Sequence, residues 1–285
     1  MKKRILRIFV AGTGFTGSRI LQELARCGHE VVGMNRSGPC PGLDEHPVMA
    51  GDVLEQGGLK ALGSLAPFDL MISTLSGSSL KDPAAYRALY VDGPRRLAEA
   101  LTWKEEPEVW CLGSTGVYGE QEGEWVTEET PAVPPHSKGQ VQLDAENALH
   151  DSIKRSTVLR LSGLYGPGRT RLVRQALRKR PFFKANVWSN QIHGDDVAHV
   201  VAQLVNRSEA PPPMLLVSDD QPTQRKEIFE WVREQMDEPE GLYDEDHPHA
   251  RGANRGNKRV SNRLLRELGI ELTYPTFREG LKGLL

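Results

Sequence analysis

The pattern Gly12-x-Gly14-x-x-Gly17 constrains the fold of this chain more than any other feature, because it lies between a strand-like segment and a helix-like segment. The preceding residues, 5–11, are mostly apolar and β-branched, which is typical of a buried strand. The following residues, 20–25, place apolar side chains on one helical face. Glu30 to Met34 then forms a second apolar run. These segments predict a β-α-β unit whose first turn is rich in glycine.

The alternation of strand-like and helix-like segments continues along the chain. Further strands are predicted at Val48–Gly51, Leu70–Thr74, Val109–Gly113, Thr157–Leu161 and Met214–Val217. Helices are predicted near 55–63, 83–101 and 138–153, with a kink or a new start at Pro94 capped by Asp92. Strands and helices in alternation indicate a parallel sheet covered on both faces. The predicted fold class is therefore α/β, a Rossmann-type doubly wound parallel sheet.

Composition excludes several classes of protein. The chain has 285 residues, and 36 Lys and Arg against 38 Asp and Glu give a net charge of −2, which argues against nucleic acid as a partner. Because no apolar stretch approaches the roughly 18 residues of a membrane span, no membrane association is expected. Three widely spaced cysteines, Cys27, Cys40 and Cys111, are expected to be unpaired thiols of a cytoplasmic protein. The sequence does not predict the oligomeric state.

The glycine-rich turn is typical of a site for linked phosphates. Glycine allows a tight turn and lets the backbone approach a pyrophosphate, which then lies at the helix N-terminus. We therefore predict a dinucleotide site, with a purely structural turn or a mononucleotide site as the alternatives. The residues predicted to contact the cofactor here are Gly12, Thr13, Gly14, Phe15, Thr16 and Gly17.

The end of the second strand indicates which dinucleotide binds. Proteins that bind NAD place an acidic residue on the ribose 2′-hydroxyl there, about 20 residues after the turn. This chain has Asn35, Arg36 and Ser37 instead. A guanidinium pairs with a 2′-phosphate, and no carboxylate is present to repel that phosphate. NADP is the predicted cofactor; the alternative is that Arg36 is only an exposed turn residue.

Five more segments complete a pattern over nearly the whole chain: Gly51-Asp52-Val53, Ser73-Thr74-Leu75, and residues 113–119 (GSTGVYG), 160–168 (RLSGLYGPG) and 190–196 (NQIHGDD). With the glycine turn, they resemble the extended or atypical short-chain dehydrogenase/reductases of the NAD-dependent epimerase/dehydratase type. The resemblance implies seven parallel strands. It also places Asp52 and Val53 beside the adenine, and Thr74 and Leu75 in the cofactor site.

The resemblance also implies a division into two domains. Residues 1–165 would form the NADP-binding Rossmann domain, completed by residues 187–218. Residues 166–285 would form a smaller C-terminal substrate lobe, with the substrate bound against the nicotinamide.

The expected catalytic helix departs from the family pattern. In this family a Tyr-x-x-x-Lys pair moves the proton, but residues 134–146 contain no tyrosine. Alignment on Glu146 puts Lys138 at the tyrosine position and Gln142 at the lysine position; a shift of two residues gives His136 and Gln140. The predicted catalytic residues are Ser114, from the family's serine position, and Lys138 as a proton donor.

Other candidate residues have simpler explanations. Tyr118 is expected to pack in its loop, and His193, followed by Asp195 at a predicted helix N-cap, is expected to be structural. The segment His247-Pro248-His249 lacks a third spaced ligand, so it is expected to be a solvated loop. No metal site is predicted.

The residues and the resemblance together predict an NADP-dependent oxidoreductase or nucleotide-sugar-epimerase-like enzyme that lacks the usual Tyr-x-x-x-Lys pair. Its substrate would be a small molecule such as a sugar or another carbonyl compound. The alternative, favoured by the missing tyrosine, is a non-catalytic NADP-binding redox sensor or regulator.

Overall fold

The protein is built around a seven-stranded sheet, seen in a computed structural model that describes residues 4–77, 80–178, 187–238 and 256–285. The strands in chain order are β1 (Arg7–Ala11), β2 (Glu30–Asn35), β3 (Val48–Ala50), β4 (Leu70–Ser73), β5 (Glu108–Ser114), β6 (Glu124–Val126), β7 (Arg155–Leu161), β8 (Gly163–Tyr165), β9 (Trp188–Ser189), β10 (Gln191–His193), β11 (Met214–Val217), β12 (Thr223–Gln224) and β13 (Lys258–Val260).

The described helices cover the sheet or lie in the later part of the chain. They are α1 (Phe15–Arg26), α2 (Pro83–Arg87), α3 (Gly93–Ala100), α4 (Ser137–Ser152), α5 (Arg171–Ala176), α6 (Gly194–Val205), α7 (Arg225–Gln235), α8 (Arg263–Glu267) and α9 (Phe277–Lys282). None of these helices is long and apolar enough to cross a membrane.

The strand order of the sheet is β11-β7-β5-β4-β1-β2-β3, and its strands run parallel, which confirms the predicted doubly wound α/β fold. The chain moves outward from β1 to β3 and then returns to β4 on the other side of β1. In open α/β sheets, ligands bind outside the carboxyl ends of the strands where the order reverses in this way. Ala11 and Ser73 are partners across this point.

Burial explains why these segments form the central elements. The side chains from Ile8 to Ala11 on β1 are fully buried, as expected for a strand covered on both faces. On α1, Ile20, Leu21 and Leu24 are also fully buried. Their spacing of three and four residues puts them on one helical face, so α1 packs its apolar stripe against the sheet.

The helix predicted near 55–63 is wrong. The segment forms turns followed by a short 3₁₀ helix at Lys60–Ser64. Gly57 has a φ of +78°, and a Cβ at Gly58 would lie 2.4 Å from the carbonyl oxygen of Asp52. Two adjacent glycines in turn conformations therefore interrupt the α-helix that the apolar spacing suggested.

The helical stretch at 83–100 accommodates Pro94 without the predicted cap. A π-helical turn at Ala88–Asp92 joins α2 to α3, and Pro94 lies in the first turn of α3. Proline is tolerated there because a first-turn N–H has no acceptor within the helix. The predicted new start is therefore confirmed, with Asp92 at the N-cap position of α3, but the side chain of Asp92 makes no capping hydrogen bond.

The chain divides into two compact units. The first comprises Met1–Gly113, Val141–Arg160 and Val197–Leu215 and holds most of the sheet; the second comprises Ser114–Gln140, Leu161–Asp196 and Leu216–Leu285. Within the second unit, short strand pairs join β6 to β13, β8 to β10 and β9 to β12. The predicted division into a cofactor domain and a substrate lobe assigns functions to segments of the chain, and that assignment stays a prediction.

Candidate cofactor and active site

The three glycines of the turn after β1 have three different surroundings. Gly12 has a φ of +97°, a conformation that favours glycine. A Cβ at Gly17 would lie 1.8 Å from the carbonyl oxygen of Gly12, so no side chain fits there. Gly14, by contrast, has no atom within 4 Å of its Cβ position. The turn therefore packs tightly at both ends and presents open backbone in the middle, where a phosphate group could approach.

Thr74 fastens this turn to the neighbouring strand. Its hydroxyl donates to the carbonyl oxygen of Gly12 and lies 3.3 Å from that of Ala11. From the other side, the Gly12 N–H donates to Met34 on β2 at 2.8 Å. The turn is thus held at the point where the strand order reverses, by contacts to both strands that flank β1.

The end of β2 is organised by the Asn35 side chain. Its Nδ2 donates to Thr13 Oγ1 at 2.7 Å and to the carbonyl oxygen of Gly38 at 2.8 Å. Its Oδ1 accepts from the N–H groups of Ser37 and Gly38. Asn35 therefore ties the β2 turn to the glycine turn. Arg36 is exposed and forms no ion pair with a carboxylate in the described ranges.

The remaining predicted cofactor residues follow β3 and β4. Asp52 accepts from the N–H of Leu54 at 2.8 Å, which shapes the turn, and Val53 is buried. Leu75 lines a cavity of about 30 Å³ at the carboxyl ends of β4 and β5, enough for a few water molecules. That cavity is also lined by Ser73, Cys111, Gly113, Gln142 and Glu146.

A buried ion pair stands beside this cavity. Arg160 on β7 donates to Glu146 Oε2 through Nη2 at 2.6 Å and Nε at 3.0 Å. The Oε1 of Glu146 has no hydrogen-bond partner among the residues that the structure describes, and a Cβ at Gly113 would lie 2.8 Å from it. Burial raises the pKa of Glu146, against the opposing effect of Arg160. Burial also raises the pKa of the Cys111 thiol to about 12, which makes it a poor nucleophile.

Ser114 is the last residue of β5 and is half-buried. Its Oγ accepts from the N–H of Gly116 at 3.1 Å, so its hydroxyl hydrogen remains able to donate. Tyr118, in the same loop, is fully buried, and its hydroxyl donates to the carbonyl oxygen of Thr127 at 3.1 Å. Lys258 donates to the carbonyl oxygen of Tyr118 at 2.9 Å. The loop after Ser114 is thus held by buried polar contacts.

Helix α4 begins at Ser137 and carries the residues that align with the Tyr-x-x-x-Lys motif. Lys138 is exposed in its first turn. The Gly139 N–H donates to His136 Nδ1 at 3.0 Å, so that histidine shapes the helix start. One turn after Lys138, Gln142 Nε2 donates to the hydroxyl of Tyr86 at 3.2 Å. The roles predicted for Ser114 and Lys138 stay predictions.

His193 lies in a buried aromatic cluster. Its ring is 5.2 Å from the ring of Tyr165 and 4.1 Å from that of Tyr274, and its Nδ1 accepts from the Asp195 N–H at 3.3 Å. Helix α6 begins at Gly194, so Asp195 lies in its first turn and is not the predicted N-cap. Asp196 accepts from two backbone N–H groups of the C-terminal segment. These contacts are structural in kind.

No group of three or more His, Cys, Asp or Glu side chains that could hold a metal ion occurs in the described parts of the chain. The segment His247-Pro248-His249 and its neighbours Asp244 and Asp246 lie outside the described residues. All three cysteines are free thiols.

Sequence reasoning missed the pairing of Glu146 with Arg160 and the contact of Gln142 with Tyr86. A signal for the first existed, since Arg160 is a charged residue inside the apolar run of β7 and buried charges are usually paired. For the second, nothing in the sequence indicated that a tyrosine 56 residues earlier would reach α4.

Comparison with known proteins agrees with this architecture. Among proteins of curated function, none matches the sequence significantly. A solved structure from Methylobacillus flagellatus, provisionally described as an NAD-dependent epimerase/dehydratase, is 30% identical, with 99% of this chain and 98% of that chain covered and a TM-score of 0.80. A functionally unknown conserved protein from Silicibacter pomeroyi is 28% identical, with 98% of each chain covered and a TM-score of 0.74.

A third structure shows the same fold at lower identity. It is the UDP-glucuronic acid 4-epimerase of Bacillus cereus in complex with UDP-glucuronic acid and NAD, which is 19% identical, with 97% of each chain covered and a TM-score of 0.77. The sequence model of the NAD dependent epimerase/dehydratase family matches residues 8–217, most of the chain. The chain therefore belongs to the NAD dependent epimerase/dehydratase family.

Proposed function

We propose that this protein is an NADP-dependent enzyme that acts on a nucleotide sugar or a related carbonyl compound. The observation that carries the proposal is the turn after β1, whose central glycine faces open space, together with the exposed Arg36 after β2. The free thiols suit a reducing compartment, and we place the enzyme in the cytoplasm on that ground.

The residues present fit a phosphorylated dinucleotide. The backbone of the turn at 12–17 would hold the two linked phosphates, because a bulky group can approach only where Gly14 leaves space. Arg36 would pair with the 2′-phosphate through two hydrogen bonds. Asp52 and Val53 would lie beside the adenine, and Thr74 and Leu75 on the path toward the nicotinamide. When bound, NADP supplies the hydride acceptor or donor.

The proton would be handled by residues at the end of β5 and the start of α4. The Ser114 hydroxyl, whose oxygen is already engaged by Gly116, would donate its hydrogen to a substrate oxygen. Lys138 would carry the proton on Nζ and transfer it to the oxygen that gains charge during reduction. Its exposed position allows exchange of that proton with water.

The proposal of a nucleotide sugar as substrate is based on family membership and on the ligands of structurally similar proteins. The Bacillus cereus epimerase of the same fold binds UDP-glucuronic acid. A nucleotide sugar offers secondary alcohols that a nicotinamide cofactor oxidises to carbonyls. We propose that residues 166–285 supply the substrate lobe and that residues 1–165 with 187–218 supply the cofactor domain.

Hydride transfer tests this function directly. Purified protein should either pass deuterium from NADPH deuterated at C4 to a ketone or keto sugar of a test panel, or pass deuterium from the alcohol carbon of a labelled nucleotide sugar to NADP⁺. Ser114→Ala should slow that transfer by about 100-fold, within the range for groups engaged in proton transfer. Ser64→Ala, which changes an exposed serine elsewhere, is the matched control. Tight NADPH binding with no transfer across the panel would contradict catalysis and favour a sensor.

A further inference from the structure

We propose that Arg259 is an anion-binding residue that takes a phosphate or carboxylate group of the substrate. The inference deepens the proposed function and rests on it only in assigning the anion to the substrate. Its starting point is a pair of cation–π contacts in the second unit: the guanidinium carbon of Arg259 lies 5.0 Å from the ring centre of Trp125 and 5.2 Å from that of Trp188.

The backbone on both sides of Arg259 is fixed by a single side chain. Asn190 Nδ2 donates to the carbonyl oxygen of Lys258 at 2.9 Å, and Asn190 Oδ1 accepts from the N–H of Val260 at 2.8 Å. Strand β13 also pairs with β6, with Arg259 opposite Trp125. The base of the side chain is therefore held on two sides before any ligand binds.

The side chain itself is fixed by one further contact. Arg259 Nε donates to the carbonyl oxygen of Gly123 at 2.7 Å. A Cβ at Gly123 would lie 2.8 Å from Trp188 Nε1, so the indole covers this glycine closely. The two indole rings lie within cation–π distance of the guanidinium, and the Gly123 carbonyl accepts from its Nε. The outer edge, with Nη1 and Nη2, has no hydrogen-bond acceptor in the described part of the chain.

Other arginines of the same unit differ in this respect. Arg266 pairs with Asp220, and Arg278 pairs with Glu227. Arg259 forms no ion pair with a carboxylate among the described residues, although the two indoles partly remove it from water. A guanidinium keeps its charge at every physiological pH. A partly desolvated cation with an unused fork of donors matches the two oxygens of a phosphate or carboxylate.

The Arg259 guanidinium is also accessible and pre-organised. Trp125 is 52% exposed, so a ligand in solution reaches this side of the unit. Because the ring contacts and the hydrogen bond already fix the guanidinium, binding an anion costs little further conformational entropy of the Arg259 side chain. The competing explanation is that the stack serves only to attach β6 to its neighbours, and it predicts a different outcome from the variants below.

The test is calorimetric titration of the full chain with two probes, UDP and glucuronate. UDP carries a diphosphate without a carboxylate, and glucuronate carries a carboxylate without a phosphate. Arg259→Met should lower the affinity for the probe that binds by about tenfold or more, which is the loss expected for charge-assisted hydrogen bonds. Arg259→Lys keeps the positive charge but loses the forked pair of N–H donors, so its affinity for the probe should lie between those of wild type and Arg259→Met. Arg263→Met, which removes an exposed arginine paired with Glu267, is the control and should bind as wild type.

Each outcome decides the matter. Weakening confined to UDP assigns a phosphate, and weakening confined to glucuronate assigns a carboxylate. Equal affinities in wild type and Arg259→Met, or no uptake of either probe at millimolar concentration, would overturn the proposal, even if Arg259→Met also lowers the melting temperature. NADPH binding, titrated separately, should be the same in all variants. If wild-type protein does not bind NADPH, that result counts against the proposed function rather than against the anion site.

Discussion

The glycine turn at 12–17 and the start of α4 are built on different principles. In the turn, function depends on backbone: a side chain at Gly17 would strike the Gly12 carbonyl, and Thr74 bonds that same carbonyl. At the start of α4, the proposed function depends on which side chains occupy a regular helix. Lys138 and Gln142, which one of the two predicted alignments puts at the tyrosine and lysine positions of the family motif, lie within that helix. The proposed cofactor region is therefore constrained by backbone packing, whereas the proposed proton-transfer region is defined by side chains on a helix.

The interior of α4 supports this contrast. Glu146, two turns after Lys138, is buried and paired with Arg160 on β7. Removing one partner of such a pair costs about 3–5 kcal/mol, because the other charge remains buried alone. The helix is thus positioned by its buried pair, and its first turn can vary independently.

The strongest test of the contrast is Gly17→Ala. We expect it to destabilise the protein by about 3 kcal/mol or more, since the new methyl group meets backbone that cannot move aside. Urea unfolding measures the change. Gly14→Ala is the matched control, because its Cβ meets no atom within 4 Å; it should fold normally but bind NADPH weakly. Similar stabilities for both variants would break the comparison.

Lys138→Met tests the other region. If Lys138 donates the proton, kcat for the substrate found by hydride transfer should fall by about 100-fold. The melting temperature should not change, because the side chain is exposed. Lys154→Met, which alters another exposed lysine just beyond the same helix, should leave kcat unchanged. Unaltered turnover in Lys138→Met removes Lys138 from the mechanism.

Arg36→Ala sharpens the comparison on the cofactor side. Loss of the 2′-phosphate contact should reduce the preference for NADPH over NADH by about tenfold, as measured by the two dissociation constants. The fold should be unaffected, since Asn35 and not Arg36 holds the turn. Arg26→Ala, which breaks only an exposed pair with Glu23, is the control. If Arg36→Ala keeps the wild-type preference for NADPH over NADH, a group other than Arg36 must contact the 2′-phosphate.

The smallest expected effect concerns pH. The loop after Ser114 is held by Lys258, and burial lowers the pKa of that lysine to about 8. Between about 8 and 10.5 the unfolded chain keeps this proton while the folded chain has lost it, so stability due to Lys258 rises with pH.

Wild type should therefore gain on the order of 1 kcal/mol over Lys258→Met in unfolding free energy between pH 7.5 and 9.5. Lys226→Met, at an exposed ion pair, is the control and should follow wild type. The same pH dependence in wild type and Lys258→Met would show that this buried lysine does not titrate in that range.

Periodicity and glycine spacing predicted the sheet and the turn well, because both depend on contacts local to each segment or on a regular apolar pattern. The helix predicted near 55–63 was wrong because Gly57 and Gly58 adopt turns that the apolar spacing concealed. The family resemblance, now confirmed by the match over residues 8–217, gave the seven strands.

The side-chain contacts of the site were beyond prediction from the sequence. Asn35 was expected at the cofactor, and that role stays a prediction; the hydrogen bond from its side chain to Thr13, 22 residues earlier, was not foreseen. Arg259 reaches the carbonyl of Gly123 across 136 residues, and no local pattern encodes such a contact.

The most direct measurement of the central claim is calorimetric titration of the wild-type protein with NADPH and with NADH. We expect one site per chain for NADPH, with NADH bound at least about tenfold more weakly because it lacks the phosphate that Arg36 would contact. Failure of well-folded protein to take up either nucleotide would contradict this expectation.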